Sequence, residues 1–416
     1  MNASRTRNAI VWLLAAAACA QPQLRYVAVV TRHGVRSPTW APARLNEFSA
    51  SPWPDFGVAP GQLTAHGGVL MKILGAYYHE RFAEDHLLSP ERCSDAAKIF
   101  IWADTEQRTI ETGRALAESI LDGCGLKIHF REQGKDPLFS GFGEEDPRLA
   151  SDAVRVRIAG DPKRLLTEHQ AALDTLQFIL DAGQAARQRL VPFSGDLGIL
   201  VQAKGIELQG PLAAASSLSE DLLLEYAEGM QGSSLGWGRL TRDNLFQSLE
   251  LHRVYSDLMR RTPYLARKRG SNLLAHVLAS LEQAVSRTAV PGALGPPSTS
   301  LLILAGHDTN LSNLSGMLGL SWTLPGYQPD ETPPGGALLF SLWEDSTKRR
   351  FFVRTEYLAA SLEQMRDTAV LTNAAPPLRY PVAIPGCEGS DRCSWEAFQK
   401  IAGGAIDPGS VDFRLR

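Results

Sequence analysis

The sequence predicts an α/β fold: a central, mostly parallel sheet flanked by helices, interrupted by an inserted, mostly helical domain. Three short apolar runs, far apart in the chain, each end in a polar junction and pass into a helical pattern. Between roughly Asp136 and Ser271 strand-like runs become scarce and helical patterns take over. A chain of 416 residues, 44% hydrophobic and 21% charged, has an ordinary globular composition with room for two domains.

The first twenty residues stand outside that fold. Arg5 and Arg7 make a positive start, Ile10 to Ala18 an apolar stretch, and Ala18-Cys19-Ala20 a small-residue cleavage site before Gln21. The segment reads as a secretory signal peptide cut after Ala20, too short and wrongly flanked for a membrane span. An N-terminal anchor helix is the bland alternative. Lipid attachment at Cys19 is a third, with Ala16-Ala17-Ala18 making a poor lipobox. The expected mature protein is periplasmic or secreted and carries no membrane segment.

The three apolar runs are Leu24 to Val30, Lys98 to Ala103 and Ser300 to Ala305. Their length, their β-branched residues and the helical patterns behind them favour buried strands. They end at Thr31-Arg32-His33-Gly34, Asp104-Thr105-Glu106-Gln107-Arg108 and Gly306-His307-Asp308-Thr309-Asn310. Ligands of open α/β sheets bind beyond the carboxyl ends of the strands, so the three junctions are expected to share one pocket. Strand order is not legible from the pattern.

The expected division is 21–135 for the first part of the α/β domain, 136–271 for the helical insert and 272–416 for the second part. A Pro/Gly-rich stretch, Pro291 to Ser298, leads back to the third strand. Near the C-terminus "GALLFSLW" and "RRFFVRTEYL" flank a polar turn and predict an antiparallel hairpin. The acidic residues of "SEDLLLEYAEGM", Ser219 to Met230, are expected on a solvated face, with Glu220 the one exception, through the resemblance given below.

Removing the leader leaves Cys93, Cys124, Cys387 and Cys393, an even number suited to an oxidising compartment. Four cysteines allow three pairings, the simplest joining near neighbours. None has zinc-site spacing, and no metal or cofactor is expected. A formal net charge of −3 gives no basic field for nucleic acid, so anion binding must be local.

His33 lies between Arg32 and Arg36, cations that oppose its protonation and favour the nucleophilic neutral ring. Guanidiniums also grip phosphate oxygens bidentately. That pairing points to phosphoryl transfer through a phosphohistidine, against the alternative of an arginine-rich surface loop. Arg108 adds a third cation, unless it merely pairs with Glu106 or Glu111 on its helix. His307 and Asp308 add a second imidazole and a proton donor for a departing alkoxide, although Asp308 could serve only as a helix cap.

The motif Arg32 to Pro38, "RHGVRSP", with Gly306 to Asn310, "GHDTN", resembles the histidine acid phosphatases, branch 2 of the histidine phosphatase superfamily. Five fixed residues would coincide in a chain of this length on the order of once in ten thousand sequences. The likeness runs through nearly the whole mature chain and is nearest to bacterial periplasmic phytase/acid phosphatases, in "WPDFGVAPGQLTAHGGVL", "GWGRL", "RTPYLARKRG" and "DETPPGGALLF" among other segments. It implies a phosphoglycerate-mutase-like α/β domain with a helical insert. His33 becomes the nucleophile, Asp308 the general acid, and Arg32, Arg36, Arg108 and His307 the phosphate ligands. It further implies Cys93–Cys124 and Cys387–Cys393 disulfides and the absence of a metal.

Thr39, Asp104, Glu220, Arg269 and Thr309 resemble positions around the outer phosphates or ring in phytases. Trp40 departs from that pattern, standing where those phytases carry a lysine. It could stack on a sugar or aryl ring, or simply pack under its loop. The partner implied is a small phosphate monoester, phytate first, with glucose 1-phosphate or broad acid phosphatase activity as the alternative. Two rival functions remain: phosphomutase chemistry on the same core, and a non-catalytic anion-binding protein. The remaining histidines read as structural or surface groups, and the sequence sets no oligomeric state.

Overall fold

Strand β1, Gln23–Arg32, is buried from Tyr26 onward because neighbours and helices cover both of its faces. A computed structural model of the chain describes residues 21–89, 92–181, 195–345, 347, 350–387, 389 and 392–414. The expected signal segment lies outside the described residues. β1 pairs in parallel with β6, Leu301–Gly306, and β6 in parallel with β2, Ile99–Ala103. β3, Ile128–Phe130, extends that parallel edge. The other side is antiparallel: β1 meets β7, Ala337–Asp345, which meets β8, Arg350–Ala359. β9, Leu378–Val382, and β10, Cys393–Ser394, both pair with β8. All three expected strands and the C-terminal hairpin are present.

Side chains alternate across the sheet with period two and split the core between its faces. Val27, Val29, Ile101, Leu301 and Ile303 face one cluster with Met71, Tyr78 and Leu116 from the helices Ala65–Glu84 and Gln107–Ile120. Ala28, Val30, Leu302, Leu304 and Phe340 face the larger cluster. That cluster also holds Leu222, Leu249 and Leu274, from the helices Pro211–Ala227, Arg242–Met259 and Pro263–Ser286. Gly67 brings the helix Ala65–Glu84 against the loop after β1. A Cβ there would stand 2.1 Å from the Val35 carbonyl oxygen, so no other residue fits without moving backbone.

The region expected to be helical is mostly so, with one antiparallel pair inside it, β4 (Gly198–Gln202) and β5 (Gly205–Gln209). The helix Pro263–Ser286 runs through residue 271, so the chain returns toward the sheet along a continuous helix. One expectation needs correction. Asp221 and Glu225 are buried instead of solvated, beside the excepted Glu220. Partners distant in sequence make that possible: Arg36 for Asp221, the Gly236 amide for Glu225, and the Thr64 hydroxyl for the half-buried Glu228.

Disulfides join Cys93 to Cys124 and Cys387 to Cys393. Among the described residues, no helix is long and apolar enough to cross a membrane.

Candidate active site

The sheet order explains why the three junctions meet. β1, β6 and β2 are adjacent and parallel, so their carboxyl ends stand side by side, about 5 Å apart strand to strand. The His33 amide donates to the Gly306 carbonyl at 2.9 Å, and the Asp104 amide to the Ala305 carbonyl at 3.0 Å, locking the tips together. The helix Asp308–Leu318 begins where β6 ends, with its positive amino end at the same rim.

His33 is buried, and its Nδ1 faces the Gly34 carbonyl at 2.8 Å. A carbonyl only accepts, so the proton sits on Nδ1 and the lone pair on Nε2. Burial, then Arg32 and Arg36, then His307 and Arg108, hold the imidazole well below its usual range, as the flanking cations led us to expect. His307 lies edge-on to His33 with ring centres 5.5 Å apart. Its Nε2 donates to Asp104 at 2.9 Å and Glu106 at 3.2 Å. Burial opposes charge on that ring, and the two carboxylates more than offset it, raising its pKa. Arg108 Nη2 stands 3.4 Å from His307 Nδ1 and 3.9 Å from Glu106, while Nη1 donates to the Gly61 carbonyl at 3.3 Å.

The other two arginines are backed by carboxylates. Arg32 is fully buried, donating to the Thr332 carbonyl at 2.6 Å and pairing with Glu220. Arg36 lies 3.4 Å from Glu220 and 3.8 Å from Asp221. Glu220 thus sits behind the guanidiniums. Burial would raise its pKa, but Arg32 and Arg36 outweigh that and bring it down. Thr39 is exposed on the rim, next to Gly61. The Thr309 amide donates to Asp308 Oδ1 at 2.8 Å, with its hydroxyl 3.4 Å from the same oxygen.

Arg269 stands apart from these contacts, held bidentately by Glu145 at 2.8 and 3.0 Å and donating to the Met259 carbonyl at 3.0 Å. It lines a cavity of about 1000 Å³ whose walls also carry Lys135, Lys204 and Lys268. Trp40 is half-buried, 5.6 Å from the Phe48 ring, and the Arg44 guanidinium lies 5.4 Å from its centre. The ring packs within its loop, and Arg44, itself paired with Glu47, is the nearby cation.

Sequence reasoning missed Arg260, His252 and Glu331. Arg260 Nη1 donates to Asp308 Oδ2 at 2.5 Å, and His252 Nε2 lies 3.7 Å from the same oxygen. Burial would lift the Asp308 carboxyl, but Arg260, Arg32 and His252 hold it well below the usual carboxylate range. Glu331 is buried with both carboxylate oxygens unpaired, and burial pushes it up to about 8. No spacing signal marks Arg260, which lies 48 residues from its partner. Two triads, Asp104–Glu106–His307 and Glu220–His252–Asp308, bring three ligand-type atoms within 4.8 Å of one another. A guanidinium already stands at each: Arg108 at the first, Arg32 and Arg260 at the second.

The family model described as histidine phosphatase superfamily (branch 2) matches residues 23–188 and 217–357. The chain belongs to that superfamily. This histidine phosphatase is 34% identical to phytase AppA of Escherichia coli over 93% of its own length and 94% of that protein's. It is 28% identical to glucose-1-phosphatase of Providencia rettgeri, covering 92% of each. The solved Hafnia alvei phytase in complex with tartrate matches at a TM-score of 0.87 and 33% identity, over 94% of this chain and 100% of that one.

Proposed function

We propose that this histidine phosphatase is an exported phosphomonoesterase that works at acidic pH through a phosphohistidine on His33. Nε2 attacks phosphorus in line. Arg32, Arg36, Arg108 and a protonated His307 take the charge that develops on the non-bridging oxygens. Asp308 gives a proton to the departing ester oxygen, then accepts one from the water that cleaves the phosphohistidine. The observation that carries this reading is the His33 ring itself: buried among cations, with Nε2 unprotonated, at the tip of three adjacent strands.

Phytate is the favoured substrate, in line with the phytases among the relatives; Thr39, Thr309 and Arg269 are assigned to its outer groups, while Asp104 and Glu220 act from behind, on His307 and on Arg32 and Arg36. Glucose 1-phosphate is the second reading, supported by the glucose-1-phosphatase relatives and by Trp40, a ring suited to stacking on a sugar. Export rests on the leader pattern of residues 1–20 and agrees with two disulfides. The helical region 136–271 is assigned as the insert that walls the cleft.

Comparing kcat/KM for phytate, glucose 1-phosphate and an aryl phosphate at acidic pH tests the assignment. Phytate should lead, and Trp40→Lys should raise its lead further. A phytate rate below that of glucose 1-phosphate would move the assignment to the second reading. Transfer of the phosphoryl group to an added sugar phosphate in preference to water would indicate a mutase instead.

A further inference from the structure

Two arginines follow one another at the end of the helix Arg242–Met259, and they are spent differently. Arg261 is consumed by structure, bound to Ser315, the Leu320 carbonyl, Asp257 and Asp330. Among the described residues, Arg260 hydrogen-bonds through its side chain to Asp308 alone. Its side chain keeps 16% exposure, so the donors not spent on Asp308 reach solvent.

That contact blocks the oxygen the chemistry needs. Asp308 Oδ1 is occupied by the amide and hydroxyl of Thr309, which leaves Oδ2 to carry a proton to the leaving group. Oδ2 is the atom that Arg260 caps. A close guanidinium hydrogen bond favours the charged carboxylate and opposes protonation of the oxygen that accepts it, so Asp308 works better as an acid once Arg260 is drawn away. An anion can do that. A donor hydrogen-bonded to Oδ2, with Oδ2 hydrogen-bonded in turn to the ester oxygen, stands about 5–6 Å from that ester oxygen. A phosphate on the adjacent carbon reaches that position, and one across a six-membered ring does not.

We propose that Arg260 reads a second phosphate on the carbon next to the ester being cleaved, and by moving to it frees Asp308 Oδ2 to act as the acid. The proposal rests on the phosphatase reading above and narrows its substrate class to vicinal bisphosphates of small polyols. Once freed, Asp308 takes a proton from hydronium. It passes that proton to the ester oxygen as the P–O bond breaks and the His33 Nε2–P bond forms. The vicinal phosphate stays intact. The other charged groups around Asp308 are His252 on the same helix as Arg260, Arg32 at the end of β1, Arg108, Glu220 and Glu331. His252 Nε2 comes nearest to Oδ2, at 3.7 Å, beyond hydrogen-bond reach.

The test compares cyclohexyl phosphate, trans-cyclohexane-1,2-diyl bisphosphate and its 1,4 isomer, each across the acidic range, with wild type, R260Q and R260K. Wild type should favour the 1,2 isomer over the other two by about tenfold or more in kcat/KM, the equivalent of one charge-assisted contact. The alkaline fall of its rate profile should also come at higher pH with the 1,2 isomer than with cyclohexyl phosphate. R260Q should erase both differences, and R260K should keep part of them, since the charge remains and the fork is lost. Equal rates on the 1,2 and 1,4 isomers by wild type, or a 1,2 preference that survives in R260Q, would overturn the proposal. An aryl phosphate run in parallel separates the two levels. If wild type hydrolyses it, those outcomes reject the role of Arg260 alone; if it does not, the phosphatase reading fails and takes the proposal with it.

Discussion

The Nδ1 atom of His33 faces the carbonyl oxygen of Gly34 at 2.8 Å, and that one contact decides which nitrogen can attack. It is a local bond between chain neighbours, while the charges that help keep the ring neutral come from the end of β1, from the loop after it, from the junction after β6 and from the helix Gln107–Ile120.

His33→Ala should reduce turnover of every ester by roughly 10⁴-fold or more, because the covalent route is lost outright. Single-turnover kinetics with an acid-quenched phosphoenzyme assay checks it. A variant with measurable burst and unchanged rate would remove His33 from the mechanism.

Asp308→Asn should slow alkyl esters by about 10²–10⁴-fold and aryl esters much less, since a phenolate leaves without a proton. Activity should also peak on the acidic side. His33, depressed by burial and by its arginines, stays neutral as pH falls, whereas Asp308 must gain a proton to work. A maximum above neutrality would contradict both assignments.

Asp104→Asn should raise KM by about tenfold, with a smaller effect on kcat. The carboxylate supports the charge on His307, and a neutral His307 offers a bound phosphate one cationic donor fewer. Inorganic phosphate inhibition should weaken in parallel.

Stability should fall as pH rises from about 6.5 to about 8, above the range in which the depressed pKa values of His33 and His252 push the other way. Burial lifts the folded-state values of Asp221 to about 7 and of Glu225 and Glu331 to about 8, above those of exposed carboxyls. The unfolded chain therefore releases those protons first, and the stabilisation present below about pH 4 is lost through the folded values. The thermal midpoint, followed across that range, should drop by several degrees, and Glu331→Gln should flatten the slope. A midpoint that rises with pH would show that these carboxyls are ionised in the fold.

Replacing Cys93 and Cys124 by serine should cost about 3–4 kcal/mol, the loop-closure value for a bridge across 31 residues. Denaturant unfolding of the oxidised and double-serine proteins measures it directly. A change below 1 kcal/mol would mean that the reduced chain already holds that loop closed.

What the sequence determined by itself was local. Short β-branched runs specified the strands, period two divided their faces, and the junctions after them held His33, Arg108, His307 and Asp308 in readable motifs. The tertiary structure alone decided who stands beside whom: β6 between β1 and β2, Glu220 behind Arg32 and Arg36, Arg260 on Asp308. The acidic run after Ser219 shows the difference. Its composition reads as a solvated face, yet partners from remote segments let Asp221 and Glu225 be buried. A repeating pattern records how one element meets water or core. A pairing of charges across 48 or 188 residues has no period, because the fold brings those atoms together only after the chain between them is placed.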